Sequence, residues 1–386
     1  MDVILRAVKS NLEGHPNMSE FNTTFILYQR NSRFEVMHAV YTDLYHGFKD
    51  IGITPKMVEI KDHQFGESMF SPDFPVQRID AEYLGDLLEE GGYILTDDNY
   101  SMVRLLERID RNISNLTVWA TYFYGHRFIF KQYRDLPVGL SYKERLSYSA
   151  IELMPPLLSM RKSRWYVTGM ARTRILAQSL WTGLLINRAY SLKCSGVIYI
   201  PVDPAYYDVI LDNIRELKCL IFFGNRYDTD LRQLRDTIEV IRSIVPGIEF
   251  EAFGNNSQAT LFEKNTGIQV KFLGEVDRRR LSEIYNNCLF TICPIYNGNF
   301  EKVPVESLLN GTPVVSFIQP FMEVTGETDL VANIQNADEV RSKVIKWIKN
   351  DLSMERKQLR ERILSVMGHA KVAKDFIKYL TDFSRG

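Results

Sequence analysis

Residues 294–315 read PIYNGNFEKVPVESLLNGTPVV and hold the pattern that decides the fold of this chain. The segment predicts the end of a buried strand, a loop that contains Gly298, and a helix over about residues 305–310 that stops at Gly311. Loop amides and a helix N-terminus form a natural binding site for a diphosphate. At the start of that helix, the carboxylate of Glu306 can accept hydrogen bonds from two ribose hydroxyls, or it can simply support the helix N-terminus.

Strand and helix signals alternate on both sides of this segment and through the first half of the chain. Short apolar runs suited to buried strands occur at residues 25–28, 57–60, 93–96, 116–123, 197–201, 219–223, 249–253, 270–273, 289–293 and 314–317. Segments with helical spacing lie between them; for example, Val40, Leu44 and Phe48 recur every four residues. This order is typical of βαβ units and predicts parallel sheets.

We therefore predict an α/β fold, with two doubly wound, Rossmann-like domains that face each other across a cleft. The length of 386 residues fits two domains of similar size. The predicted limits are residues 1–203 for the first domain, 204–217 for a linker and 218–365 for the second domain. Residues 366–386 are expected to form a helix that packs back on the first domain. In such folds ligands bind beyond the carboxyl ends of the strands, which places the functional site in the cleft.

Charge is distributed unevenly along the chain, although the formal net charge is only -1. Residues 1–100 hold 8 Lys and Arg against 17 Asp and Glu, whereas residues 101–193 hold 15 against 5. The basic block is either an ordinary solvated face or a surface for anionic lipid, phosphate or nucleic acid. Within it, residues 140–158 are helical in pattern, aromatic and partly basic, interrupted by Pro155 and Pro156, and residues 161–164 add a charge cluster. This stretch fits a segment on a membrane surface as well as an ordinary domain edge.

Several protein classes are disfavoured by the sequence. It shows no signal peptide and no stretch of about 18 apolar residues, so we expect a cytoplasmic protein, with peripheral membrane contact through residues 101–193 as an alternative. The four cysteines form no CxxC pairs and are too few for a disulfide scaffold. The sequence has no P-loop, no GxGxxG after a strand and no GxSxG elbow, which disfavours nucleotide hydrolysis, hydride transfer and serine-hydrolase chemistry.

The segment 294–315 resembles the donor-site signature of retaining GT-B glycosyltransferases of the glycogen-synthase-like, family four or group 1 type. That signature is roughly E-G-F-G-x-P-x-x-E-A-x-A-x-G-x-P-V-V, and the matching residues here are Phe300, Glu306, Gly311, Pro313, Val314 and Val315. Further pieces of the family pattern follow in order at residues 197–203, 222–226, 270–285 and 320–329. The resemblance extends, with gaps, over about residues 165–380.

The resemblance implies a sugar transfer from a UDP- or GDP-sugar to an acceptor hydroxyl, with retention of configuration and with no metal or bound cofactor. The catalytic residues it implies are Glu306, Arg226, His126 and Glu301. The donor-binding residues it implies are Gly224, Asn225, Arg226, Leu273, Gly274, Gly298, Asn299, Phe300, Val303 and Glu306. In this scheme Glu306 binds the ribose and Arg226 neutralises the departing diphosphate. His126 touches the donor sugar, although an ordinary loop histidine fits its position equally well.

Three departures from the family pattern lie at positions that are expected to bind the donor. Gly298 stands where the signature begins with a glutamate, and Glu301 can substitute for it only after a shift of the loop. Thr229 stands where the family has a lysine after the arginine. Residues 30–33, with the sequence RNSR, replace a Gly-Gly loop after the first strand. These departures bear on catalysis more than on the fold.

The acceptor is open at this point, with a lipid-linked or saccharide acceptor favoured over nucleic acid. One alternative is a glycosyltransferase for modified bases of nucleic acid, for which the basic block and its aromatic residues would be the binding face. A second is a catalytically degenerate GT-B protein that binds a partner or nucleotide without turnover. A non-glycosyl relative of the same fold, such as a sugar-nucleotide epimerase, is a third.

Overall fold

The computed structural model describes residues 23–28, 35–61, 75–80, 83–89, 93–97, 106, 116–120, 167–207, 215–224, 229–274, 276–295, 301–317 and 321–383. Within these ranges the chain forms two parallel β-sheets joined by helices. The predicted α/β class with two parallel sheets is therefore confirmed. The exact domain limits stay a prediction; the strands of the first sheet come from residues 23–197 and those of the second from residues 216–333.

The first sheet has the spatial order β3-β2-β1-β4-β5-β6-β7, and all its neighbouring strands are parallel. Its strands are β1 (Thr23–Tyr28), β2 (Lys56–Lys61), β3 (Val76–Asp80), β4 (Tyr93–Asp97), β5 (Leu116–Ala120), β6 (Arg174–Ala177) and β7 (Gly196–Val197). Its helices are α1 (Glu35–Asp50), α2 (Leu84–Glu89) and α3 (Leu180–Tyr190). All five residues of β5 are buried, as expected for a strand covered on both faces.

The second sheet has the spatial order β10-β9-β8-β11-β12-β13 and is parallel throughout. Its strands are β8 (Glu216–Phe223), β9 (Glu249–Gly254), β10 (Lys271–Phe272), β11 (Cys288–Cys293), β12 (Val314–Ser316) and β13 (Val331–Asn333). Its helices are α4 (Leu231–Ile244), α5 (Asn256–Thr266), α6 (Arg278–Asn287), α7 (Lys302–Leu309), α8 (Met322–Thr325) and α9 (Ala337–Lys349).

The helices of the second sheet begin where short polar side chains can bind the first free amides. Asp230, Asn255, Asp277 and Asn336 each accept hydrogen bonds from amides in the first turn of α4, α5, α6 and α9. Such caps typically stabilise a helix by about 1 kcal/mol each. They fix the point at which each helix leaves the sheet, and therefore the positions of the loops at its carboxyl edge.

Two further helices follow: α10 (Ser353–Met367), which packs on α7 and α8, and α11 (His369–Phe383), which returns to the first sheet. The amide of His369 donates to the carbonyl of Val202 at 3.0 Å. Further along α11, the ring of Phe376 packs edge-on against Trp119 of β5 at 5.2 Å between centroids. The approach to α1 is so close that a Cβ on Gly47 would lie 2.2 Å from the carbonyl oxygen of His369. The C-terminal helix therefore ties the second half of the chain to the first.

The helix that follows β11 differs from its predicted position. It begins at Lys302, about three residues earlier than expected, and Pro304 lies in its first turn. Proline is tolerated there because the first amides of a helix have no intrahelical acceptor. As a result Glu306 lies in the second turn of α7 and not at its start, which is a correction to the sequence prediction.

Candidate functional site

In the second sheet, β8 and β11 are neighbours. The chain continues from β8 to β9 on one side and from β11 to β12 on the other, so the connections from the two strands run in opposite directions. A crevice opens at such a switch point, and ligands of doubly wound sheets bind there. Residues just beyond the two strands are in contact: Thr229 and Ile295 form an antiparallel bridge, and the amide of Asp230 donates to the carbonyl of Pro294 at 2.9 Å. A Cβ on Gly224 would lie 2.4 Å from Cδ1 of Ile295, so the absence of a side chain allows this close approach.

Glu306 lies on α7, next to this switch point, and its side chain faces the first half of the chain. The residue is 7% exposed, and its Oε1 accepts a hydrogen bond from the hydroxyl of Tyr207 at 2.7 Å. Because its carboxylate contacts Tyr207 and lies in the second turn, Glu306 does not cap the amides of α7. The interpretation of Glu306 as a support for the helix N-terminus is therefore wrong.

Glu306 belongs to a group of charged and hydroxyl side chains, here called the cleft network, whose members are all buried except the partly buried Arg278: Asp43, Tyr207, Arg278, Lys302 and Glu306. Asp43 comes from α1 of the first sheet and binds Arg278 of α6 through both oxygens, Oδ1 to Nη1 at 2.7 Å and Oδ2 to Nη2 at 2.9 Å. Lys302 donates to Oδ2 of Asp43 at 2.8 Å. The Nη2 of Arg278 also donates to the hydroxyl of Tyr207 at 2.9 Å. The network therefore connects the two sheets directly.

The charges of the cleft network balance, with two cations against two carboxylates. Burial would raise the pKa of Asp43, but Lys302 and Arg278 outweigh it and hold that pKa below its usual value. Burial would lower the pKa of Arg278, but Asp43 outweighs it and the pKa lies above its usual value. Burial together with the charge of Glu306 raises the pKa of Tyr207 well above its usual value. Tyr207 is thus a neutral hydroxyl that donates to a charged carboxylate.

Two further contacts hold the helices that carry the network. The guanidinium of Arg278 stacks on the ring of Tyr206, 4.0 Å from its centroid. Behind the network, Arg215 donates to the carbonyls of Cys288 at 2.7 Å and Gly311 at 3.0 Å, beyond the ends of α6 and α7. Burial, with a contribution from Arg356, lowers the pKa of Arg215 to about 9. Arg215 therefore fixes the ends of the two helices opposite the network.

A second carboxylate, Glu323 of α8, crosses to the first sheet at another point. Its two oxygens accept the amides of Leu180 and Trp181, both at 2.7 Å, in the first turn of α3. The hydroxyl of Tyr199 adds a third hydrogen bond at 3.1 Å. Because the first amides of a helix have no intrahelical acceptor and carry partial positive charge, a carboxylate is a suitable partner for them.

The predicted donor-binding residues that the structure describes lie at the carboxyl edge of the second sheet. Leu273 follows β10 and donates its amide to Ala252 at 2.7 Å, and Gly274 next to it has a φ of +80°, which favours glycine. Val303 is buried in the apolar cluster with Ile295, so only its backbone can reach a ligand.

Glu301 is the residue before α7, and its side chain does not cap that helix. Burial raises the pKa of Cys293 at the end of β11, and the charge of Glu301 raises it further. The other predicted site residues lie outside the described residues: His126, Asn225, Arg226, Gly298, Asn299 and Phe300.

Thr229, aligned with a lysine of the family pattern, is completely buried in its bridge to Ile295. The position therefore does not present a side chain to the cleft in this structure. Sequence reasoning missed Asp43, Tyr207, Arg278 and Lys302. A local signal existed for two of them: Asp43 adjoins the apolar stripe of α1, and Lys302 lies four residues before Glu306, one helical turn away.

No helix in the described ranges has the length and apolar character needed to cross a membrane. No group of three or more His, Cys, Asp or Glu in the same ranges has the arrangement of a metal site. The metal-independent mechanism stays a prediction.

Comparisons with known proteins agree with this architecture. Residues 218–350 match the family model described as Glycosyl transferases group 1. No curated protein sequence matches the chain. Among solved structures, sucrose-phosphate synthase from Thermosynechococcus elongatus is 13% identical, with a TM-score of 0.64 over 95% of this chain and 100% of that chain. TarM from S. aureus is 7% identical, with a TM-score of 0.63 over 93% of this chain and 100% of that chain.

An alpha-glucosyltransferase in complex with UDP and a 13-mer DNA is 12% identical, with a TM-score of 0.60 over 93% of this chain and 99% of that chain. At these identities the similarity to solved structures concerns the fold, which is GT-B in each case. The match to the family model lies over the second sheet, where β8, β11 and α7 form the site described above. The chain has the GT-B fold, and its residues 218–350 match the family model of group 1 glycosyltransferases.

Proposed function

We propose that the protein transfers a sugar from a nucleoside-diphosphate sugar, with a uracil or guanine base, to an acceptor hydroxyl, with retention of configuration and without a metal. The observation that carries this proposal is the position of Glu306, a buried carboxylate on the helix that follows β11 at the switch point of the second sheet. A carboxylate there can accept the two hydroxyls of a ribose.

The proposed roles follow the order of groups along the carboxyl edge of the second sheet. Glu306 binds the ribose, and the chain at Leu273 and Gly274 lies against the base. The backbone of residues 298–303, together with Glu301, holds the distal phosphate and the sugar. Arg226 takes up the charge of the departing diphosphate, and His126 contacts the sugar from the first sheet. Electrostatic stabilisation of this kind is usually the largest contribution to such a reaction.

In the proposed reaction the bond between the anomeric carbon and the phosphate oxygen breaks first, which gives the sugar an oxocarbenium-like character. The acceptor oxygen forms its bond to the anomeric carbon on the face that the diphosphate leaves. Its proton passes to the departing phosphate oxygen, so no separate base is required. The products are the glycosylated acceptor, with retained configuration, and the nucleoside diphosphate.

A thermal-shift panel tests the donor proposal. UDP-, GDP-, ADP- and CDP-sugars are added at millimolar concentration to the parent and to Glu306→Ala, with Glu283→Ala as the matched control. Glu283 lies on α6 with a 61% exposed side chain, paired only with Arg280 in the described part of the chain. A ligand present at 100 times its Kd stabilises the native state by about 2.7 kcal/mol, which raises the Tm by several degrees.

We expect a UDP- or GDP-sugar to raise the Tm of the parent and of Glu283→Ala, and Glu306→Ala to lose most of that shift. If no nucleotide sugar shifts the parent at this concentration, the protein does not use such a donor. If the shift survives in Glu306→Ala, the donor site lies elsewhere.

For the acceptor we propose a lipid-linked or saccharide hydroxyl, in a cytoplasmic protein with peripheral membrane contact through residues 101–193. A nucleic-acid acceptor is the second candidate. Two observations favour it: residues 101–193 hold 15 Lys and Arg against 5 Asp and Glu, and one structure of the same fold contains a 13-mer DNA. Basic residues that contact phosphates make binding fall steeply with salt.

The two acceptors can be separated by binding to duplex DNA and to vesicles that contain anionic lipid, each measured at about 50 and 200 mM salt. Transfer of labelled sugar to the bound material then identifies the acceptor. DNA binding with a steep salt dependence, followed by transfer to DNA, supports the second candidate. Donor binding with no transfer to DNA, lipid extracts or oligosaccharides supports a binding protein without turnover.

A further inference from the structure

We propose that Asp43 is a positioning residue for the donor site: from the first sheet it holds Arg278 and Lys302 so that the carboxylate of Glu306 stays available to the ribose. This inference rests on the proposed role of Glu306 in donor binding. It assigns a function to a residue on α1, which belongs to the half of the chain outside the matched family model.

The geometry around Asp43 shows what it holds. Its side chain is completely buried, and its two oxygens take three hydrogen bonds from Arg278 and Lys302 at 2.7 to 2.9 Å. A buried carboxylate with two cationic partners is strongly held, because the loss of any one charge leaves another uncompensated in a poorly solvated place. Asp43 therefore fixes the side-chain positions of both cations.

Lys302 is the cation that competes for Glu306. Its Nζ lies 2.8 Å from Oδ2 of Asp43 and 3.8 Å from Oε1 of Glu306, one helical turn along α7. Without the charge of Asp43, the nearest carboxylate for this buried ammonium group is Glu306. A direct ion pair at Oε1 would then compete with the hydrogen bond from Tyr207 and change the orientation of the carboxylate, and with it the position of Oε2.

Arg278 acts through Tyr207. It donates to the Tyr207 oxygen at 2.9 Å, so the hydroxyl proton is directed away from Arg278 and toward Oε1 of Glu306, at 2.7 Å. Tyr207 has its pKa well above the usual value, chiefly through burial, and stays a donor. This bond fixes the rotation of the carboxylate, and no described residue donates to Oε2 of Glu306. Oε2 is the oxygen left for a ligand.

The chain of contacts from Asp43 through Arg278 and Tyr207 to Glu306 begins on the first sheet and ends in the second. It is complete only when α1 lies against α6 and α7. Binding of the donor ribose is thus coupled to the contact between the two halves of the molecule. Through this coupling, donor binding can favour a closed cleft.

A comparison of ribose and deoxyribose ligands tests this proposal. The affinities of UDP, 2′-deoxy-UDP, GDP and 2′-deoxy-GDP are measured by titration calorimetry for the parent, Asp43→Asn, Tyr207→Phe and Asp236→Asn. Asp236 lies on α4 with a 44% exposed side chain and serves as the matched control. A hydrogen bond to a charged group changes affinity by about tenfold or more, so the parent and Asp236→Asn should prefer the ribose form by that factor.

In Asp43→Asn and Tyr207→Phe we expect this preference to fall to about twofold or less, because the carboxylate is no longer held for the ribose hydroxyls. Tyr207→Phe keeps the ring and the ion pair of Asp43 with Arg278, so it gives a result even if Asp43→Asn does not fold. An unchanged preference in these variants overturns the proposal, and so does an equal loss of affinity for both forms, which a general structural defect would produce.

A failure of the proposed function has a different signature. If the parent and Asp236→Asn bind neither UDP nor GDP, the donor proposal fails and this inference fails with it. If the parent binds the ribose and deoxyribose forms equally, Glu306 is not the ribose ligand and Asp43 has nothing to position.

Discussion

Asp43 and Glu323 both reach from one sheet of this molecule to elements of the other, and their partners differ in kind. Asp43 reaches from the first sheet to the side chains of Arg278 and Lys302 and is completely buried. Glu323, itself half-buried, reaches from the second sheet to the backbone amides of the exposed Leu180 and the half-buried Trp181. One contact joins full charges, whereas the other joins a full charge to the partial charges of a helix end.

The difference shows why only one of these contacts is suited to control a site. A bond to backbone amides is local, because the amides are fixed by the helix and any acceptor of the right shape can satisfy them. A bond to mobile cations has consequences elsewhere, because Arg278 and Lys302 are also next to Tyr207 and Glu306. The loss of Asp43 therefore affects its own ion pairs and also the positions of Tyr207 and Glu306, whereas the loss of Glu323 affects only its own contacts.

The largest expected effect is on stability in Asp43→Asn. The substitution preserves size but leaves the buried Lys302 and the partly buried Arg278 with Glu306 as the only carboxylate in the network. Breaking a buried ion pair from one side costs about 3–5 kcal/mol, and we expect the free energy of unfolding to fall by that amount. Urea unfolding followed by circular dichroism measures it, with Asp236→Asn as the control that should change little. A loss of less than about 1 kcal/mol would mean that solvent reaches the network.

This network marks the limit of what the sequence predicts. The strands of the second sheet follow from local apolar runs: the predicted run 289–293 and the observed β11 (Cys288–Cys293) differ by one residue. Parallel pairing follows from the alternation of strands with helices. Asp43, in contrast, binds partners that lie 235 and 259 residues further along the chain. No local periodicity encodes such a pair.

The functional site was predicted only in part, because only some of its residues lie within a local sequence pattern. Glu306 is recognisable because the signature around it is contiguous in the sequence. The position of Glu306 in the second turn of α7 was not predicted. Proline usually marks a helix boundary but is tolerated in the first turn, so Pro304 concealed the true start of the helix at Lys302. The role of Tyr207 depends on the path of the chain between the two sheets, and that path is set by tertiary packing.

Acid should weaken the same network. Because Lys302 and Arg278 outweigh the effect of burial and hold the pKa of Asp43 below its usual value of 3.8, the ionised form is favoured in the folded state. Asp43 therefore contributes stability that is fully present above pH 3.8, and that stability is lost as pH falls through the lower, folded-state pKa. Each pKa unit of depression corresponds to about 1.4 kcal/mol.

Urea unfolding at a series of pH values from about 6 down to 3 measures this effect in the parent and in Asp43→Asn. The difference in unfolding free energy between the two proteins should be constant from pH 6 to pH 5 and should shrink below the unfolded pKa. A difference that is independent of pH throughout would show that Asp43 is not charged in the folded protein.

The smallest effect is expected for Glu323→Gln. The amide side chain keeps one carbonyl oxygen for the amides of α3, while the charge that favours the helix N-terminus is lost, at a cost of about 1 kcal/mol. Because Glu323 binds Leu180, Trp181 and Tyr199, which lie outside the cleft network, the preference for UDP over 2′-deoxy-UDP should be unchanged. Urea unfolding and the same titrations measure both quantities. A loss of the ribose preference in Glu323→Gln, with Asp43→Asn unaffected, would reverse the comparison and make the contact of Glu323 with α3 the one that controls the donor site.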